Sequence, residues 1–355
     1  MDSTTSRSDV PGAFVMNPGR CGSTLLSTTL AEHPQVLSLQ EYMISLGSLG
    51  FMSETLLTGA QFWQRVSGPS SIENLLRRLD RIPREIVYTG AISASGNGRT
   101  AMPRILGVAL AAVDPDPDRL FGELAATVPG FPRQDLGQHH RQLFALLAHR
   151  YSNRLWVERS GGNCAYLGRL LALFPDAKVV YLSRNCVDTV LSMRRHPYFQ
   201  LATIGEQFER RYGFNPFDED CPDYDDGIAP TLRPLLPQHL TAGQLDQRGS
   251  LLEPFVLRWV QQDLYARAVT AALPDDQLLE LDYDELVADP ADQLTRVGRF
   301  LDLDDAAGWA YSVAYQVVRQ PHRVTPCSTA EITSWQQKIT KAILTTGTYQ
   351  PSTVD

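Results

Sequence analysis

Short apolar runs alternate with helically spaced ones along much of the chain. Ala13–Asn17 is an apolar run closed by Pro18-Gly19-Arg20-Cys21-Gly22. Ser23–Glu32 follows, with Leu25, Leu26 and Leu30 at helical spacing, and Val36–Leu39 is a second apolar run. The pattern predicts strand, glycine turn, helix and strand, the opening of a βαβ unit. The same alternation resumes at Leu155. Strands are predicted at Leu155–Glu158, Lys178–Ser183 and Leu278–Leu281. Helices are predicted at Asn163–Phe174, Val187–Arg194, Phe255–Ala272 and Ala291–Leu301. Repeated strand–helix units imply an α/β fold: an open, mostly parallel sheet covered by helices on both faces.

Between Ile44 and Arg150 the periodicity is less regular. Ile72–Ile82 and Gln138–Tyr151 read as amphipathic helices, and Ser93–Thr100, rich in Gly, Ser and Asn, as a loop. Phe208–Pro230 reads as irregular and acidic. No internal repeat and no interdomain linker is visible. The expectation is a single domain over residues 12–345, with a disordered leader at 1–11 and a flexible tail at 346–355.

Composition narrows the partners. A 355-residue chain with 43% apolar and 20% charged residues supports a sizeable core. Its net charge of −8 argues against a general nucleic-acid binder, although a few local arginines suffice for a small anion. The five cysteines are scattered without a CxxC pair, so neither a zinc site nor a disulfide framework is expected. The polar leader lacks a signal-peptide core, and no uncharged apolar stretch is long enough to cross a bilayer. The expectation is a soluble, cytoplasmic protein with no metal, nucleic-acid or membrane partner; the sequence leaves its oligomeric state open.

Two segments carry the candidate chemistry. Gly19 and Gly22 permit close backbone approach to a ligand, and the helix that follows presents unpaired N–H groups with about half a positive charge. Ser23 and Thr24 add hydroxyls, and Arg20 a planar cationic fork. The plain alternative is a tight turn with a Ser or Thr helix cap. No Gly-Lys-Ser/Thr follows, so this is not a Walker A loop. In the second segment, Lys178–Ser183 delivers Arg184 to a strand's carboxyl end, where open α/β sheets bind ligands. Ser192 lies about two helical turns further on, so Arg184 and Ser192 can hold one phosphate. A strand-end ion pair with Asp188 is the alternative for Arg184, and Asp188 itself reads as a structural cap.

Gly19-Arg20-Cys21-Gly22-Ser23-Thr24-Leu25-Leu26 resembles the 5′-phosphosulfate loop of sulfotransferases that use 3′-phosphoadenosine 5′-phosphosulfate (PAPS). Arg184-Asn185-Cys186-Val187-Asp188-Thr189-Val190-Leu191-Ser192 resembles their 3′-phosphate motif, and Leu281–Pro290 their Tyr-Glu-Asp-Leu…Asp-Pro segment. The resemblance spans Ala13–Leu303, loosely in the middle. Cys21 stands where Ser is usual and Cys186 where Pro is usual; in both places backbone can still bind phosphate.

The resemblance implies the sulfotransferase fold, PAPS as donor with PAP (3′,5′-bisphosphoadenosine) as product, and a small-molecule hydroxyl acceptor, of natural-product or carbohydrate type. It places Arg20 on the transferring sulfuryl group and Cys21, Gly22, Ser23 and Thr24 on the 5′-phosphate. Arg184 and Ser192 fall on the 3′-phosphate. Tyr283 is a cofactor contact or a buried strand-end tyrosine. Arg159 is a second electrostatic stabiliser or the partner of Glu158 or another nearby acid, and Arg323 lies in a basic loop over the 3′-phosphate.

An alcohol acceptor needs a general base. Glu41, twenty-one positions after Arg20 and just beyond the second strand, matches the catalytic Glu spacing of tyrosylprotein and some bacterial carbohydrate sulfotransferases. A solvated loop carboxylate is the alternative reading. His139 and His140 are the rival bases, or surface residues of an amphipathic helix. The acidic run Asp218–Asp226 reads as a solvated loop, since Pro222 interrupts any Ca²⁺ loop. Trp63, Trp259 and Trp335 are candidates for an acceptor pocket, with Trp259 closer to core. Cys21, at a helix N-terminus, is open to a lowered thiol pKa, but its position fits backbone cradling of the ligand better. A nucleotide or sulfonucleotide kinase and a non-catalytic nucleotide-binding module are the competing functions.

Overall fold

The computed structural model describes residues 10–53, 55–88, 102–218, 221, 226–318, 333–334 and 337. Five strands form one sheet: β1 (Gly12–Met16), β2 (Val36–Gln40), β3 (Leu155–Arg159), β4 (Lys178–Ser183) and β5 (Leu278–Asp282). Their order is β2-β3-β1-β4-β5, and every pairing is parallel. The predicted strands match these to within a residue or two.

Alternation along the central strands divides the core in two. Phe14 and Met16 of β1, with Val179 and Tyr181 of β4, enter one apolar cluster. Ala13 and Val15, with Val180 and Leu182, enter the other. The helix Leu136–Arg150 covers the first face through Leu143, Phe144 and Leu147. The second is covered by the helix Ser23–Ala31 through Leu26 and Leu30, and by Pro290–Phe300 through Leu294 and Val297. With both faces covered, β1 is buried throughout, which is why it reads as an unbroken apolar run. Phe14, Phe144, Trp156 and Phe174 form the aromatic centre of the first face, with Phe14 and Phe174 edge-to-face at 5.3 Å.

Several helices lie outside the predicted set: Gly59–Ser67, Pro117–Thr127, Pro197–Tyr212, Ala242–Ser250 and Ala306–Val313. The stretch expected to be irregular from Phe208 is still helical as far as Tyr212. Pro197 starts that helix at a first-turn position, where its missing N–H costs nothing. Its apolar positions Leu201, Ile204 and Phe208 close a satellite core with Leu75 and Leu76. The predicted helix at Asn163–Phe174 splits into a 3₁₀ turn, Asn163–Tyr166, and a helix, Leu167–Leu173. Among the described residues, no helix is long and apolar enough to cross a membrane.

Phe174 is fully buried amid this aromatic centre. Phe174→Ala is expected to lower the unfolding free energy by about 3–5 kcal/mol in equilibrium urea denaturation. A loss below about 1 kcal/mol would contradict the packing described.

Candidate functional site

β1 runs to β2 on one side of the sheet and β4 runs to β5 on the other, so a crevice opens between the carboxyl ends of β1 and β4. The glycine turn leaves β1 on one side of it and Arg184 leaves β4 on the other. Three residues of the turn are left-handed: Gly19 (φ 96°), Arg20 (φ 58°) and Gly22 (φ 91°). Both glycines are sterically required as well. A Cβ at Gly19 would lie 2.2 Å from the Phe199 ring, and one at Gly22 would lie 2.3 Å from Tyr283.

Buried Asn17 fixes the entry to the turn. Its amide donates to the Ser160 carbonyl (3.0 Å), its carbonyl oxygen accepts from Gly19 N (3.0 Å), and its own N–H donates to Asn163 Oδ1 (2.9 Å). Gln262, its amide oriented as its neighbours require, donates to Pro18 O (3.0 Å) and accepts from Arg258. The helix Ser23–Ala31 begins without a side-chain cap and without an acid in its first turn. It therefore turns an uncompensated positive end toward the crevice.

Each expected site residue now has a place. Ser23 is buried as the first helical residue, and Thr24 is exposed beside it. Arg20 donates from Nε to Ser192 Oγ (3.2 Å) and from Nη1 to Glu85 (2.7 Å). Ser192 thus contacts Arg20. Arg184 lies over the Tyr283 ring at 4.5 Å, donates to the Arg20 carbonyl (3.5 Å) and reaches Asp188 (3.5 Å). Its Nε is buried without a hydrogen-bond partner. Asn185, rather than Asp188, caps the helix Cys186–Met193 with its side chain. Tyr283 opens a short helix and is buried between Gly22 and Arg184.

Cys21 is fully buried against the Leu182 carbonyl. Burial pushes its thiol up to about 12, outweighing the backbone donors and arginines that pull it down. The lowered pKa left open for this cysteine is thereby overturned.

Glu41 follows β2 and sits beside the end of β3 in a left-handed conformation (φ 54°). Arg159 Nη1 donates to its Oε1, and Gly161 N donates to its Oε2 (2.9 Å). Arg159, 2% exposed, also donates to Ser27 Oγ (3.2 Å) and Gln40 Oε1 (2.8 Å). Its fork is therefore spent on Glu41 and its surroundings rather than turned to the crevice. The loop Ser160–Asn163 joins the Glu41 side to the glycine turn through Asn17.

His139 and His140 are core residues, not surface ones. His140 is held between the Tyr42 hydroxyl (2.9 Å) and the Gly50 carbonyl (2.8 Å), and burial pushes it down to about 3. His139 is tied to the Leu57 carbonyl (2.8 Å) and stacks on Phe62. Their burial and engaged rings leave neither placed as a base. Trp63 packs on Phe121 beside the first core, and Trp259 packs on a fourth apolar cluster. Arg323, Trp335 and most of Asp218–Asp226 lie outside the described residues.

Three site residues escaped sequence reasoning. Glu85 bridges Arg20 and His196 Nε2 (3.2 Å), and Arg258 lies over Phe199 (5.6 Å) while pairing with Glu206. Burial raises the Glu85 carboxyl, but His196 and Arg20 together hold it well below the ordinary range. None of the three stands in a motif; folding alone brings them to the turn. Among the described residues, no group of three or more His, Cys, Asp or Glu side chains is placed to hold a metal ion.

Behind Glu41 lies Glu158, fully buried. It accepts from Met43 N (3.0 Å) and Ser160 Oγ, and Ser160 Oγ in turn accepts from Ile44 N (3.1 Å). Its second oxygen has no partner. Burial pushes the Glu158 carboxyl up to about 7.

The sulfotransferase family model matches residues 124–241, a third of the chain that includes Arg159, Arg184 and Ser192. No curated protein matches the sequence. Solved structures similar to the chain include the sulfotransferase domain of the Synechococcus PCC 7002 olefin synthase, 19% identical over 96% of both chains with a TM-score of 0.42. Sulfotransferase STF9 from Mycobacterium avium is 14% identical over 95% of this chain and 77% of its own, with a TM-score of 0.44. A sulfotransferase from Alicyclobacillus acidocaldarius is 14% identical over 96% and 97%, with a TM-score of 0.40.

Two chemical consequences are measurable. Cys21 is expected to resist iodoacetamide at pH 8 in the native protein and to react on unfolding, read by peptide mass spectrometry; native labelling would contradict its burial. For Glu158, the folded state holds its proton more tightly than the unfolded state. Its contribution is therefore fully present below about pH 4.5 and lost as pH rises through about 7. Relative to wild type, Glu158→Gln should gain up to roughly 3 kcal/mol of stability between pH 4.5 and 8 in urea titrations. A pH-independent difference would show that Glu158 titrates normally.

Proposed function

We propose that this protein transfers the sulfuryl group of PAPS to a hydroxyl of a small-molecule acceptor, of natural-product or carbohydrate type, in the cytoplasm. The observation that carries this reading is the crevice itself. A left-handed glycine turn with Arg20 flanks one side, Arg184 with a partnerless buried Nε flanks the other, and Glu41 stands at the end of β2, two strands from β1, joined to the turn through the Ser160–Asn163 loop. The sulfotransferase match over residues 124–241 supports the reaction class.

The residues suit a sulfonucleotide. The capless start of the helix Ser23–Ala31 and the backbone of Cys21–Thr24 supply donors for a 5′-phosphosulfate. Arg184 and Ser192 supply them for a 3′-phosphate, and Tyr283 holds Arg184 from behind. Bound PAPS supplies an activated sulfuryl group on a phosphate leaving group. Sulfuryl transfer, like phosphoryl transfer, then asks the protein mainly for alignment and charge stabilisation.

Arg20 offsets the charge that develops on the oxygen of the departing phosphate. Glu41 takes the acceptor's hydroxyl proton as the new O–S bond forms. Arg159 acts through Glu41, holding one carboxylate oxygen while Gly161 N holds the other. Arg323, outside the described residues, completes the proposal as a further 3′-phosphate contact.

A labelled donor and an acceptor panel test the reading. Turnover is expected with PAPS in the absence of Mg²⁺ and not with ATP; turnover with ATP alone would replace it by a kinase. Arg184→Ala should weaken PAP binding at least tenfold by calorimetry. Glu41→Gln should lower kcat by 10²–10⁴-fold with the affinity for PAP retained. Intact turnover in that variant would remove Glu41 as the base.

A further inference from the structure

The arginine best placed to meet a phosphosulfate already holds an anion. Arg20 Nη1 donates to Glu85 Oε1 at 2.7 Å, and the other Glu85 oxygen lies 3.2 Å from His196 Nε2. Arg20 Nε is held by Ser192 Oγ at 3.2 Å. Arg20 and Ser192, two of the side chains expected to face the donor, are thus engaged within the protein itself.

Glu85 is held where it is. Three residues on, Tyr88 is buried, its N–H bonded to the Gly107 carbonyl (3.2 Å) and its hydroxyl to Asp118 (2.7 Å). His196 packs edge-to-face on Phe199, whose ring lies against Gly19. The Glu85–His196 pair is therefore tied to the turn through the aromatic ring that shapes it. The contact with Arg20 nevertheless remains exchangeable, because the two side chains are 31% and 23% exposed. A multiply charged ligand brings more negative charge than one carboxylate and wins the exchange.

We propose that Glu85 is a built-in competitor for the donor's anionic group: it occupies Arg20 in the empty site, yields it when the donor binds, and reclaims it as the nucleotide product leaves. The proposal rests on the reading of Arg20 as a donor contact. It assigns Glu85 a function that the transfer step does not require, the setting of nucleotide affinity and release. Release limits turnover in many enzymes whose chemistry is fast. The sign of the effect does not depend on how far Glu85 moves. If it stays near the ligand it repels it, and if it leaves it gives up an ion pair, so both routes subtract from affinity.

The test is Glu85→Gln, with PAP and inorganic pyrophosphate as separate probes by calorimetry and thermal unfolding as a check on the fold. Affinity for both anions is expected to rise roughly three- to tenfold, and PAP to become a correspondingly stronger product inhibitor. Glu85→Asp, which shortens the reach by one methylene, should move affinity the same way by a smaller factor. In an Arg20→Ala background the Glu85→Gln effect should vanish, since the competition is for that guanidinium. Unchanged or weaker anion binding in Glu85→Gln would overturn the proposal and make Glu85 a support that aims Arg20. Failure of the wild type to bind PAP, with pyrophosphate affinity still rising in Glu85→Gln, would refute the proposed donor and leave the competition standing.

Discussion

Everything at the candidate site depends on how the chain leaves β1. Between Met16 and Ser23 it must quit a buried strand, pass through left-handed conformations at Gly19, Arg20 and Gly22, and start a helix. A left-handed arginine is a strained choice that costs on the order of 1 kcal/mol or more unless its surroundings enforce it. Here they do. Asn17 ties the start of the turn to the Ser160–Asn163 loop, Phe199 and Tyr283 close over the two glycines, and Gln262 reaches Pro18 from a distant helix. The strain is met by tertiary contacts, so the turn is shaped before any ligand arrives.

That geometry concentrates positive charge. The helix Ser23–Ala31 starts without a side-chain cap or an acid in its first turn, and Arg20 and Arg184 stand on either side of the crevice. A net charge of −8 spread over the chain does little to cancel a field so local. The protein cancels it locally, through Glu85 on Arg20 and Asp188 on Arg184. The Tyr283 ring beneath Arg184 adds its negative face without adding a competing charge.

What could be read in the sequence follows the range of the forces involved. The strands, the glycine turn and the Arg184–Ser192 segment were legible because apolar periodicity and turn chemistry act over a few residues. The contact between Arg20 and Ser192 was not, because it spans 172 positions of sequence. Glu85, His196 and Arg258 carry no periodic or motif signal; satellite packing around Phe199 and Pro197–Tyr212 brings them to the site. His139 and His140 misled for a related reason. Polar residues in a helical pattern suggest a solvated face, yet Tyr42 and the Gly50 and Leu57 carbonyls satisfy them inside the core. Cys21 shows the same competition within a single group, where desolvation outweighs the backbone donors and arginines that would lower its pKa.

The Glu41 side of the crevice solves a different conflict. Glu41 precedes the helix Tyr42–Leu46 at the position where an acidic side chain usually caps, but its carboxylate turns away to Arg159 and Gly161. The orphaned N–H groups are met from β3 and the loop beyond it: Glu158 accepts from Met43 N, and Ser160 Oγ accepts from Ile44 N. A buried carboxyl with one unpartnered oxygen is a costly way to cap five residues. It makes physical sense if the side chain of Glu41 has to be free of that duty. The burial of Glu158 is then the cost of leaving a carboxylate at the end of β2 oriented from the sheet side, with Arg159 beneath it.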